Sequence, residues 1–261
     1  MRALPGRRGR RGLIAAAALA VLVAGCSTTK SGSTTSTTTS TTTSTPSSST
    51  TTSSPPASIA PYLALWPFRS AAEVASWQEA YRADGSAKWH LDAANTALDF
   101  VRNYLRFDEI GTVVKTSFDT TGAHVAVGYE PKSGIRSTAA VVHLVHWGTG
   151  SDAPWEVVGT DDSTFSLTTP PYGAAETSPV QVGGAITGVD ESIKVGVRQP
   201  SSPNVLGSFC CLPAGGTDSP WSATVVFTGA TDPVLTVVAS TGGHVQSVER
   251  FTVTGVHGPG A

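Results

Sequence analysis

Three cysteines and six histidines hold most of the reactive chemistry available to this 261-residue chain. Cys210 and Cys211 are neighbours. Their Cα atoms sit about 3.8 Å apart across a trans peptide, closer than the roughly 4.4 Å an ordinary disulfide needs. The pair therefore reads as a vicinal disulfide or as two reduced thiols, and it lacks the two-residue gap of metal and thioredoxin motifs. His143 and His146 are three apart in a strand-like segment. Odd spacing on a strand sends side chains to opposite faces, so the two are not expected to share an ion. Asp161-Asp162-Ser163-Thr164 offers oxygen ligands but also reads as a solvated turn. The adjacent acids Asp108 and Glu109 are expected to face solvent. There is no G-x-S-x-G elbow, no phosphate-binding loop and no H-E-x-x-H. No catalytic residue, metal or cofactor is expected, and the chain reads as a non-enzyme.

The aromatic residues offer binding chemistry instead. Trp66, Trp77, Trp89, Trp147 and Trp155 all lie between residues 60 and 170. They are read as core or as a stacking platform for sugar rings. Within Leu65-Trp66-Pro67-Phe68-Arg69-Ser70, Trp66 and Phe68 either staple onto the helix that follows or line a surface groove, and they are the candidate binding surface.

Cys26 has a different setting. Residues 1–12 hold Arg2, Arg7, Arg8, Arg10 and Arg11 with no acid, and residues 13–24 are apolar throughout. A basic head before a short apolar segment is a secretory signal, and the segment is shorter than the ~20 residues that span a bilayer. The run closes on Val23-Ala24-Gly25-Cys26, which resembles the lipobox of bacterial lipoproteins. The resemblance implies diacylation of the Cys26 thiol (palmitate or a similar chain) and cleavage before it. Residues 1–25 are then the signal peptide, and two acyl chains hold a membrane stably. Residues 27–58 are nearly all Ser, Thr and Pro. Such a tract buries too little apolar surface to offset the entropy of ordering. Residues 26–58 are thus expected to be an acylated anchor and a disordered stalk, with the head outside the cytoplasm at the cell membrane. Cleavage removes five arginines from the 17 basic residues and none of the 19 acidic ones, moving the net charge from −2 to −7. An acidic head with few lysines is a poor fit to a phosphate backbone, so nucleic acid is excluded as a partner.

The elements that must position these residues follow from periodicity. Ser70 and Glu73 fit a capping box, with Val74, Trp77 and Tyr81 on one helical face and Gly85 as the stop. A second helix should start at Asp92 and run to about Phe107, with Ala94, Leu98, Val101 and Leu105 as its stripe. The period then becomes alternating over 112–118, 123–130, 137–148 and 154–161, as in an antiparallel meander. Residues 59–170 are accordingly expected to be an α+β domain, two helices on an antiparallel sheet. Pro170-Pro171-Tyr172-Gly173 reads as a linker. Short strands over 180–186, 192–199, 221–229, 234–240 and 248–255 then predict an all-β immunoglobulin-like sandwich over 171–256, with 257–261 as a tail.

Val182, Gly184, Glu191, Val195, Trp221, Val225, Phe227 and Ser240 carry a further resemblance. Their pattern is similar to that of the immunoglobulin-like domain of GerM-type spore-germination lipoproteins, although Ser240-Thr241-Gly242-Gly243 departs from its late strand. The resemblance implies an extracellular binding or spacing module without catalytic residues. The expected function is a membrane-anchored envelope lipoprotein that binds a cell-wall glycan or an envelope protein. The alternatives are a lipid or solute carrier with an apolar pocket in 59–170, lined by Trp77, Val101 and Val141, and a wall-directed hydrolase. High Ala, Gly, Thr and Val content suggests an actinobacterial source.

Overall fold

The computed structural model describes residues 59–131, 134–161 and 163–261. Cys26, the signal segment and the Ser/Thr-rich tract lie outside the described residues, as does Asp162.

Helix α1 spans Ala71–Asp84. The Ser70 hydroxyl accepts from the Glu73 amide, and Gly85 ends the helix in the left-handed region. The Glu73 carboxylate turns back to the Arg69 amide (2.8 Å). Helix α2 is only Ala93–Asp99, capped by the Asp92 side chain. Beyond it the chain continues as one wider turn over Phe100–Tyr104.

Eight strands follow: β1 (Thr112–Asp119), β2 (Gly122–Tyr129), β3 (Ser137–His146), β4 (Trp155–Thr160), β5 (Val180–Arg198), β6 (Gly207–Val225), β7 (Val234–Gly242) and β8 (Arg250–His257). They form two antiparallel sheets, ordered β1-β2-β3-β4 and β6-β5-β7-β8. In the first sheet Ala123, Val125, Val127, Val142 and Leu144 point inward onto Phe100, Val101 and Leu105. Residues before α1 extend this sheet, since the Leu65 amide donates to the Val157 carbonyl and the Val157 amide to that of Trp66.

One expectation is corrected here. A separate α+β domain over 59–170 is not seen. The protein is mostly β, its two helices are short, and the core of the first sheet also takes Val238, Phe251 and Val253 from the second. The stretch 171–256 has a packed core of its own, closed by Phe165 and Leu167 with residues of β5 to β8. That stretch supplies one four-stranded sheet, in which 180–186 and 192–199 are halves of a single long strand, β5. The physical reason that 59–170 is not separate is strand β7, which is buried on both sides. Leu235, Val237 and Ala239 face a core closed by the β5–β6 hairpin, while Val238 and its neighbours on β8 face the first sheet. A strand covered on both faces cannot belong to one domain's surface.

Polar contacts fasten the helical segment to this middle layer. Tyr104 Oη donates to Thr236 Oγ1 at 3.0 Å, fully inside. Arg198 Nη2 donates to the Leu105 carbonyl at 3.1 Å. Burial raises the Tyr104 phenol above its ordinary range, so it stays a donor. Glu109 does not simply face solvent, since its carboxylate accepts from the Val248 amide at 2.9 Å.

If the Tyr104–Thr236 bond fastens the helical segment to β7, removing one partner should strand the other. Thr236→Val is expected to cost roughly 1–3 kcal/mol in denaturant unfolding, the penalty for a buried hydroxyl left unpaired. Combining it with Tyr104→Phe should add well under a second such penalty. Both variants should still unfold in one transition. Fully additive losses would show the contact to be unimportant.

Candidate functional site

With its apolar side turned inward, the first sheet presents its other side to solvent, and four ionisable groups collect there. The register puts His124 on β2 directly opposite His143 on β3. Their rings stack at 4.6 Å with 14° between planes. His124 Nδ1 lies 2.7 Å from Asp161 Oδ2, just past the end of β4. Its Nε2 lies 3.2 Å from Thr121 Oγ1 and 3.3 Å from Asp119 Oδ2. His143 Nε2 lies 3.1 Å from the Thr121 carbonyl, to which it donates.

The β1–β2 turn explains how these groups converge. Asp119 Oδ1 accepts both the Thr121 amide (2.7 Å) and the Thr121 hydroxyl (2.6 Å). Gly122 then sits at a φ of +141°, with a Cβ there only 2.1 Å from the Leu144 carbonyl oxygen. Only glycine lets the turn press this close to β3. The two Thr121 bonds, with smaller help from His124, lower the Asp119 pKa to about 2. Burial pulls His124 down, but the hydrogen bonds and charges of Asp161 and Asp119 outweigh it, so its pKa is raised. His124 is therefore held between two carboxylates that favour its charged form. The Thr121 hydroxyl donates to Asp119 Oδ1 and also lies beside His124 Nε2, so Asp161, His124 and Thr121 act together as a clamp on the turn.

Two grooves meet at Asp119. One, about 340 Å³, runs over His124, Lys115, Val141 and Asp161. The other, about 460 Å³, is floored by Tyr62, Phe118, His146 and Trp155. Phe118 is 65% exposed and leans on Trp155 at 6.0 Å. His146 stacks on the same indole at 3.6 Å. Tyr62 meets His143 edge-on at 5.4 Å.

The sequence-predicted residues fall elsewhere. Phe68 is buried, packed on Trp77 and His90. Trp66 stacks on Tyr104 at 5.0 Å and donates from Nε1 to Asp99 Oδ2 at 3.0 Å. The two do not share a surface groove. Trp77 and Val101 belong to different packed clusters, and Val141 lies on the outer face, so these three do not line one cavity. His143 and His146 contact separate partners, the Thr121 and Ala153 carbonyls. Among the described residues no cluster of three or more His, Cys, Asp or Glu could hold a metal ion. Cys210 and Cys211 are bonded to each other on β6. Asp119, Thr121, Phe118 and Tyr62 did not stand out in the sequence. The signal that could have found them is the pairing His124↔His143, which becomes visible only once strand register is known.

No known protein family, curated protein or solved structure matches the chain.

The clamp has a definite pH signature. A histidine whose folded pKa is raised lends stability that is complete below its unfolded value, near 6.5, and lost as pH rises through the folded value. NMR titration of the His124 ring should give a midpoint above 6.5, and Asp161→Asn should lower it. The thermal midpoint difference between wild type and His124→Gln should shrink from pH 6 to pH 9. A difference that grows with pH would reverse the assignment.

Proposed function

We propose that the protein is a lipid-anchored envelope lipoprotein whose head binds an uncharged cell-wall glycan along the Phe118 groove. The observation that carries this reading is an exposed aromatic ring at the rim of a groove that also holds a fixed carboxylate. Sugar rings present an apolar C–H face that stacks on aromatics and a girdle of hydroxyls that donate to carboxylates. Phe118, Trp155 and Tyr62 supply the first, and Asp119 with the hydroxyls of Thr120 and Thr121 the second. A carboxylate ionised down to a pH of about 2 accepts hydrogen bonds and repels anions. The acidic head repels them too, which disfavours anionic polymers as ligands.

The placement rests on Val23-Ala24-Gly25-Cys26 and the Ser/Thr tract after it. With Cys26 acylated, the tract gives the head a reach of roughly 30 Å as a coil and about 100 Å extended. The motif resemblance in residues 180–255 points to the same extracellular, non-catalytic role. Among the described residues no helix is long and apolar enough to cross a membrane.

Two variants of the full chain test the parts separately. Cys26→Ser should move the protein from the membrane fraction to the medium. Phe118→Ala, at an exposed position, should leave folding unchanged and weaken co-sedimentation with purified cell-wall material at least about fivefold, the loss of ~1 kcal/mol of aromatic contact. Retention unaffected by Phe118→Ala would remove the groove from the account. Release of soluble sugar from the wall material would favour the hydrolase reading. A co-purifying protein retained without wall material would favour a protein partner.

A further inference from the structure

The Cys210–Cys211 bond fastens nothing distant. A disulfide stabilises chiefly by closing a loop in the unfolded chain, and more so for longer loops. This one joins adjacent residues, so it closes no loop worth the name. It is not shielded by the core either. Both cysteines are exposed, on a strand that forms the outer edge of its sheet.

The strand pairing sets the two sulfurs apart. Lys194 on β5 pairs with Cys210 and Ile193 pairs with Leu212, so Cys211 is the extra residue of a bulge. A bulge turns one side chain out of the ladder. Here Cys211 lines a groove of about 440 Å³ with Ser192, Leu212, Gly242 and Gly243. A side chain at Gly243 would meet nothing within 4 Å, so this side is open. Cys210 instead shares a face with its cross-strand partner, whose Cβ lies about 5 Å away in such a pair. That partner is the exposed cation Lys194. An ammonium beside a sulfur favours the thiolate.

We propose that Cys210–Cys211 is a thiol–disulfide exchange site, reduced from the groove side by a dithiol. A thiolate of the dithiol attacks Sγ of Cys211. The Cys211–Cys210 sulfur bond breaks, a mixed disulfide to Cys211 forms, and Cys210 leaves as a thiolate beside Lys194. The second thiol of the reductant then attacks its own sulfur in the mixed disulfide. This frees Cys211 and closes the reductant's disulfide. Two electrons and two protons pass to the cysteine pair, and the dithiol is oxidised. The sulfur with the lower pKa is the better leaving group, which makes Cys211 the attacked sulfur and Cys210 the displaced one. The reduced pair is an adjacent dithiol, the chemistry that chelates a trivalent arsenical.

The full chain, exported and kept native, tests this by alkylation and peptide mapping across residues 210–211. Before reduction the peptide should carry no alkyl group. Brief dithiothreitol without denaturant should add two, and phenylarsine oxide given after reduction should block both. Alkylation before any reductant, or reduction that needs denaturant, would overturn the proposal. Lys194→Ala should slow reduction by about three- to tenfold, as expected when the leaving thiolate loses its neighbouring cation. Lys194→Arg should keep the rate, and circular dichroism should be unchanged in both. An unchanged rate in Lys194→Ala would overturn the choice of Cys210 as leaving sulfur.

Discussion

Strand β7 has no solvent face, and the architecture follows from that. Its residues from Leu235 to Gly242 are all buried. Odd-numbered side chains fill the core closed by β5 and β6, and the even-numbered ones turn toward the first sheet and the helical segment. On the second side a hydroxyl must find a partner, because a buried polar group left alone is penalised by more than a made hydrogen bond gains. Thr236 finds Tyr104. The helices are too short to cover the first sheet by themselves, so Phe251 and Val253 of β8 complete that cover.

This inward commitment frees the outer side of the first sheet. Alternation turns every second side chain outward along these strands, and register then decides which of them meet. His124 and His143 come together because β2 and β3 pair in one register. A slip of one residue would send both rings into the core. The turn that holds the register is itself held by the site, since Asp119 grips Thr121 and His124 grips Asp119. The charged cluster thus positions the Phe118 groove as well as bordering it.

Local signals in the sequence located the elements well. Ser70, Gly85 and Asp92 mark helix ends where the structure has them, because capping is settled within a few residues. Assembly was harder to read. Val234 to Ser240 is apolar almost without a break, which fits a strand covered on both faces, but periodicity cannot say what covers it. The long strand β5 looked like two, and the structure joins them as one strand with breaks in register between Ile186 and Lys194, both halves packing into one core. Strand β6 carries Pro213, Gly215, Gly216 and Pro220, which read as loop. On an edge, a proline's missing N–H faces no partner and the strand tolerates it. The candidate site was illegible for the same reason as the assembly. Asp119, His124, His143 and Asp161 are spread over four separate segments, and only pairing brings them together.

A shallow groove would suit the tethered head proposed above. Affinity from one exposed ring and a few hydroxyl contacts is modest, and a free protein with such a site would dissociate readily. A tether changes the arithmetic, because it fixes the concentration of the head near its target at a level set by linker length. Were the Ser/Thr-rich tract a coil, as proposed, it would be short enough to keep that level high and loose enough to let the groove find its orientation. Under the proposed placement, weak individual contacts hold the head to the wall while it still moves along it. A deep pocket would add nothing that the anchor does not supply.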